Sequence, residues 1–370
     1  MRKASLLLFF VPLLAVVWGC KGGSAWKGSI DTSDGVVVVR NPAAPMYPQG
    51  ALELKEDLSI GTAAGAEEYM FIRLRGLAVD DRGSIITLDQ RKPRIDVFGS
   101  DGRHVRSIGR RGQGPGEFQT PFFVALAPAG EILVGEMGRL SFFDRAGLFL
   151  RSQDNSVGPL AFIKYLESGD AVGTRMVLEE EKPRYEVVLC GPDLKQKTVL
   201  TSSSMPDPSA TKFRLFVSLV RWDISHGREI VCASGEGDYR LSVFDATGRL
   251  VRTIIKAYDP IPVSDLDVDR QMKNHGIQSR DEITFPRHLP PISWVYADED
   301  GRIYVSTWQR DPRSGVAVFN IFDPEGRYLC DYSIPGEPLA FKDGKLYVIV
   351  QDDDGVQYVK RYAMTWKVKS

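Results

Sequence analysis

A recurring meander constrains this chain more than any other feature, and residues 109–151 show it best. A Gly/Pro-rich connector, 110–120, runs into a short apolar segment, 122–127. A turn at Pro128-Ala129-Gly130 follows, then apolar residues 132–134, a loop at 135–138 and a third apolar run at 140–143. Asp144-Arg145-Ala146-Gly147 then turns the chain into a fourth run. Short apolar runs punctuated by Gly and Asp turns, with no helix between them, predict four antiparallel strands. One such sheet cannot bury its own faces, so it needs neighbours of the same kind.

The chain supplies those neighbours. The same order of strands and tight turns spans 76–108, 219–255 and 294–334. A less regular copy spans 160–190, and a last one, 339–362, runs out after its third strand. Residues 51–60 alternate apolar and polar, as a half-buried strand does, and have no local partner. They are expected to supply the missing fourth strand. The predicted fold is therefore all-β: a six-bladed β-propeller closed by an N-terminal strand, which removes the open edge. The predicted organisation is a leader at 1–20, a tether and irregular segment at 21–50, and one propeller domain at 51–370.

Strand alternation sorts the connections onto two faces. The tight turns at 80–83, 100–103, 246–249, 298–301, 324–327 and 343–344 fall on one face. Gly supplies positive φ there and Asp supplies side-chain turn bonds, so that face reads as structural. The long excursions fall on the other. Residues 201–214 link the third and fourth blades, and 256–291 link the fourth and fifth. Within the second link, Ser264 reads as the N-cap of a short helix through about Asn274 that ends near Gly276. Long loops in compact domains are usually functional or disordered, and a ligand or partner is expected where such decorations gather, on this face.

Gly112-Gln113-Gly114-Pro115-Gly116-Glu117-Phe118, followed by Pro121, resembles the NHL-type repeat of β-propellers. The chain as a whole is similar to bacterial six-bladed β-propeller lipoproteins. These carry a similar helical insert and a Phe-Pro-x-His-x-Pro run, here Phe285 to Pro290. The resemblance is specific for fold and says little about activity.

The N-terminus sets the compartment. Arg2 and Lys3 precede an apolar run, 6–17, that is too short for an ordinary membrane span. The run ends at Val17-Trp18-Gly19-Cys20, which resembles a bacterial lipobox. Cleavage there would leave Cys20 as a lipidated N-terminus. The expected location is the bacterial cell envelope, lipid-anchored at the outer membrane or on the periplasmic side of a membrane, with plain secretion as the alternative. Cys190, Cys232 and Cys330 remain. Three thiols cannot all pair internally, and each sits in or beside an apolar strand pattern, so buried free thiols are expected.

The net charge of -1 provides no basic field, so a nucleic-acid partner is not expected. The connector 110–118 lacks the GxGxxG spacing and precedes no helix, so it reads as structural, with Glu117 near an Arg. No CxxC occurs, and the four histidines (His104, His226, His275, His288) show no third ligand, so neither a metal nor a cofactor is expected. Asp352-Asp353-Asp354-Gly355 is calcium-like in composition alone. Candidate ligand contacts are Arg and aromatic residues near strand ends or in the long insert. They are Arg75, Phe122, Arg139, Arg175, Arg221, Trp222, Arg287, His288, Trp294, Trp308 and Arg310. No GxSxG elbow occurs. The expected function is a monomeric binding or scaffold module, attached to the membrane through Cys20 and engaging a protein, peptide or glycan. The alternative is an envelope hydrolase or lyase with a metal or acidic site at the channel mouth.

Overall fold

Six four-stranded antiparallel sheets follow one another along the chain. The computed structural model describes residues 26–48, 50–155, 160–178, 183–205, 210–217, 219–233 and 237–368. Blade one comprises Leu74–Val79, Ile85–Asp89, Arg94–Phe98 and His104–Ile108. Blade two comprises Phe123–Leu126, Ile132–Glu136, Arg139–Phe143 and Phe149–Asp154. Blade three comprises Leu160–Tyr165, Ala171–Val177, Arg184–Cys190 and Gln196–Ser204. Blade four has Arg221–Ser225, Glu229–Ala233, Arg240–Phe244 and Leu250–Lys256. Blade five has Trp294–Ala297, Ile303–Arg310, Ala317–Phe322 and Tyr328–Ser333. Blade six has Glu337–Lys342, Lys345–Gln351 and Gln357–Trp366, and its outer strand is Leu52–Ile60. That strand pairs antiparallel from Val359↔Ile60 to Trp366↔Leu52, so the ring closes as the sequence predicts.

The core is divided into slabs between blades. Ile86, Leu88 and Val97 of blade one meet Val124, Val134 and Phe143 of blade two around Phe118. Equivalent clusters lie at each of the other five blade interfaces, ending with Ile60, Phe98 and Tyr347 between blades six and one. Each sheet thus buries both faces against its neighbours, which is what the repeated meander requires. Cys190, Cys232 and Cys330 are free and buried within these slabs. Burial pushes the Cys190 thiol up to about 11 and the Cys330 thiol up to about 12, so neither is a thiolate at neutral pH.

Two segments differ from expectation. Part of 21–50, expected to be tether and irregular chain, is a hairpin of Ser29–Ser33 and Val36–Asn41. Its turn residues Asp34 and Gly35 both have positive φ, the geometry of a two-residue hairpin loop. The β-branched run 36–39 then adds parallel to the outer strand of blade four, from Val37↔Arg252 to Asn41↔Lys256. Asn41 locks it. Its amide donates to the Gly326 carbonyl at 2.9 Å and accepts from the Tyr328 N–H at 2.7 Å and the Trp26 indole at 2.9 Å. Met46 and Tyr47 continue along the outer strand of blade five through backbone bonds to Tyr328 and Leu329. The second difference is in blade three, where 201–204, read as part of a linker, extend the outer strand Gln196–Ser204.

The insert between blades four and five carries the helix Asp265–His275. Ser264 and Asp267 form a reciprocal capping box, and Gly276 ends the helix in the left-handed region. Val268 and Met272 on its inner face pack with Leu215, Phe216, Ile283 and Leu289, a cluster that also takes in Trp308. The short pair Phe213–Arg214 and Ile283–Thr284 ties the insert to the chain before blade four.

Candidate binding site at the channel mouth

The innermost strands of all six blades enter the ring in the same sense. They end in tight turns at one face, so their first residues gather at the other. Between them lies a cavity of about 420 Å³ lined by all six strands. At its turn-face end stand His226, Gly227, Asp298 and Glu299. At its decorated end the six strands begin, and there the side chains divide into two arcs.

One arc is charged and comes from blades four, five, six and one. Arg221 opens the inner strand of blade four, Trp294 that of blade five and Glu337 that of blade six, while Arg75 is second in blade one. The Arg221 guanidinium lies 3.9 Å from the Trp294 ring centre and reaches the Ser293 carbonyl at 3.4 Å. Burial pushes its pKa down to about 10, which leaves it cationic at neutral pH. Among the described residues Arg221 has no carboxylate partner within ion-pair distance, and the side chains of Arg75 and Glu337 make no hydrogen bond or ion pair. The Tyr296 hydroxyl, at the same arc, is likewise without a hydrogen-bond partner among the described residues. Glu337 is accessible to solvent but sits in a concave mouth that limits its hydration. Desolvation raises its pKa, against the pull of Arg75 and Arg221.

That shift has a consequence for stability. An acid whose folded pKa is raised penalises the fold once it ionises, and the penalty vanishes below the ordinary glutamate range where both states are protonated. Glu337→Gln should therefore melt slightly higher than the parent at pH 7 to 8, by on the order of 1–2 °C for a domain of this size. The difference should disappear as the pH falls through the raised value to about 4. Paired thermal melts across that range check it, and a variant that melts lower at neutral pH would contradict it.

The other arc is aromatic and comes from blades two and three. Phe122 and Phe123 meet at 5.2 Å between ring centres, and Phe162 lies 6.4 and 6.3 Å from them. Phe162 is 51% exposed and lines the cavity. It sits in a bulge between Ala161 and Lys164 with φ 54, a conformation that bulky residues rarely adopt. Deeper in the channel, the Lys164 ammonium pairs with Asp223 at 2.5 Å. The buried Asp223 carboxylate also accepts from the backbone N–H of Ile224 and, across to blade five, of Ala297.

The structure thus brings Arg75, Arg221, Trp294 and Phe122 to one mouth, and adds Glu337, Tyr296 and Phe162, which the sequence did not single out. The remaining candidates go elsewhere. Arg139 clamps the connector through the carbonyls of Gln113 and Glu117 and through Glu136, while Glu117 pairs with Arg110 at 2.8 Å. Arg175 is held by Glu186 and Gln196 within blade three. Trp222 is buried between blades three and four and donates to the Thr174 hydroxyl at 2.9 Å. Arg287 and His288 line a separate cleft with Arg214, Tyr258 and Pro286, and no insert residue lines the channel. Trp308 packs edge-on against Phe216 at 5.1 Å. Arg310 is exposed at the end of its strand with Arg270 nearby, and desolvation lowers its pKa. Cys20 lies outside the described residues. Among those residues no group of three or more His, Cys, Asp or Glu side chains is gathered as a metal site, and no helix is long and apolar enough to cross a membrane.

This architecture defines the chain as a six-bladed β-propeller with an arginine- and aromatic-lined channel mouth. No protein-family model matches it, and no curated protein matches it in sequence. Among solved structures it is similar to a candidate exported protein of Bacteroides fragilis, with 13% identity, a TM-score of 0.58, and coverage of 90% of this chain and 100% of that one. That likeness shows the fold. Weaker likenesses reach an aldose sugar dehydrogenase of Streptomyces coelicolor, with 11% identity, a TM-score of 0.49, and 86% and 100% coverage. They also reach a gluconolactonase of Xanthomonas campestris, with 13% identity, a TM-score of 0.46, and 79% and 87% coverage.

Proposed function

We propose that this chain is an exported, lipid-anchored binding module of the cell envelope, and that it takes its protein, peptide or glycan partner at the channel mouth. One observation carries this reading. Arg75, Arg221 and Glu337 stand without ion-pair partners where the inner strands begin, and Arg75 and the exposed Phe162 line a cavity large enough for a small ligand or the end of a chain. Arg and aromatic side chains in concave sites are favoured binding anchors. The enzymatic alternative has less support. The buried carboxylates of the channel are already committed, Asp223 to Lys164 and two amides and Asp298 to the Arg302 amide and the Tyr304 hydroxyl.

The anchor and the mouth are tested together. In a bacterial host, Cys20→Ser should abolish incorporation of labelled fatty acid and release the protein from the membrane fraction. Capture from an envelope extract should then retain a species on the parent that an Arg75→Ala/Phe162→Ala variant loses. If the parent takes up no fatty acid, the anchor is wrong. If the mouth variant captures everything the parent does, the mouth is not the site.

A further inference from the structure

From the two-arc mouth we infer a specific ligand chemistry: a peptide's free carboxyl terminus, its carboxylate between Arg221 and Arg75 and its last, apolar side chain against Phe122, Phe123 and Phe162. This rests on the mouth being the binding site and goes further by naming what enters it.

The argument is one of complementarity. Two guanidinium groups that lack carboxylate partners can each offer a planar fork of donors to a carboxylate. Arg221 is pre-organised for this by its seat on Trp294, which holds the planar group while leaving it without a counter-ion. Its partial burial strengthens any charge-assisted bond it makes. The opposite arc offers nothing to hydrogen-bond. Phe122, Phe123 and Phe162 form a continuous ring cluster, and the wall beneath it continues through Val124 and Ile163. A ligand that satisfies both arcs carries an anion and an apolar group on one small unit, and the terminal residue of a peptide does both. A glycan needs many polar partners along its hydroxyls. The polar side chains midway down this wall, Lys164 and Asp223, are already paired with each other. The channel also favours an end over a middle, because its cavity runs inward along the inner strands rather than across the face.

Glu337 belongs to the same design. It lies among the charged groups Arg75 of blade one and Arg221 of blade four, with Tyr296 of blade five alongside. Without ligand it partly balances the two cations. A ligand carboxylate competes with it, so it sets how tightly the acid is held.

The test uses the full-length chain and two probes, N-acetyl-Ala-Ala-Phe as the free acid and as its carboxamide, titrated by calorimetry or ligand-detected NMR. The acid is expected to bind at least about tenfold more tightly than the amide, the usual worth of a charge-assisted hydrogen bond. Arg221→Gln and, separately, the solvent-exposed Arg75→Gln should weaken the acid and leave the amide unchanged. Glu337→Gln should tighten the acid. Phe162→Ala should reduce the advantage of a terminal Phe over a terminal Ala. Equal binding of acid and amide overturns the inference, as does an acid preference that survives both arginine variants, or no binding of either probe at millimolar concentration. Binding of an oligogalacturonate in place of the peptide, with the same arginine dependence, overturns the peptide terminus while leaving the mouth as the site. Capture from envelope extract that is indifferent to mouth variants removes the mouth itself.

Discussion

Deletion of residues 51–60 is expected to make the protein aggregate and lose its cooperative melting transition. Leu52–Ile60 is the outer strand of blade six, bonded along Gln357–Trp366. Without it that strand becomes an unpaired sheet edge, the template other chains pair with. The loss also reaches two interfaces. Leu52 is buried in the slab between blades five and six, and Ile60 in the slab between six and one. Four ion pairs go with it: Lys360 with Glu56 at 3.0 Å, Arg361 with Asp57 at 2.6 Å, Lys345 with Asp57 at 3.4 Å and Lys367 with Glu53 at 2.7 Å. The lysine pairs are partly or fully exposed and contribute little singly, whereas buried Arg361 loses its carboxylate, so the expected effect comes from the edge, the two slabs and that stranded charge. Size-exclusion chromatography and thermal melting check it. A synthetic peptide of residues 51–60 should partly restore the parental elution volume. A deletion variant that keeps the parental elution volume and melting temperature would show that the ring does not depend on this strand.

The second large effect is expected at Asp223. Its carboxylate joins three blades near the channel: Lys164 of blade three, the Ile224 amide of blade four and the Ala297 amide of blade five. Asp223→Ala leaves the Ala297 N–H buried without an acceptor, a loss of about 1–3 kcal/mol. With the Ile224 amide and the stranded Lys164 charge added, the total should be on the order of 3 kcal/mol. For a domain larger than 150 residues that corresponds to a fall in melting temperature of roughly 5–10 °C. Asp223→Asn keeps one acceptor oxygen and should lose less. Denaturant titration of both variants distinguishes this from a purely catalytic or ligand-binding role, in which stability would be unchanged and only ligand response would move.

The interplay of the two regions bears on function. Lys164 and Asp223 lie below the mouth and hold the inner strands of blades three, four and five in place. The charged arc above them begins on two of those strands. A rigid ring under an unpaired set of arginines is what a binding site needs if its geometry is to be set before the ligand arrives. The insert, by contrast, packs through its own cluster against Trp308 and the 213–216 segment and leaves the channel open. The longest loop is therefore a buttress on the decorated face, and the inner-strand ends form the mouth.

How far the sequence reached follows from which interactions are local. The blade repeat, the tight turns, the Ser264 cap with its Gly276 stop, and the need for an outer strand to finish blade six were all legible. Each rests on short-range periodicity or on residues that suit one backbone conformation. The hairpin at 29–41 was also within reach, since Asp34-Gly35 before four valines is a strong hairpin signal that the Gly/Ser and Pro content around it obscured. Arg75, Arg221 and Trp294 were readable as strand-end residues, but their sequence neighbours do not reveal that blades four, five, six and one bring them together. Arg139, Arg175 and Trp222 look equivalent in sequence, and only the packed ring gives them carbonyl, carboxylate and hydroxyl partners. Glu337 escaped because the sixth inner strand begins two residues earlier than its apolar pattern, across Pro338. Phe162 escaped because nothing local requires a phenylalanine at positive φ; the bulge against Ala171–Val177 imposes it. The sequence by itself determined a closed ring of repeated meanders, because periodicity and turn chemistry are local properties. The tertiary structure alone decided which charges stay unpaired at the mouth, because pairing depends on side chains that meet only when the ring has closed.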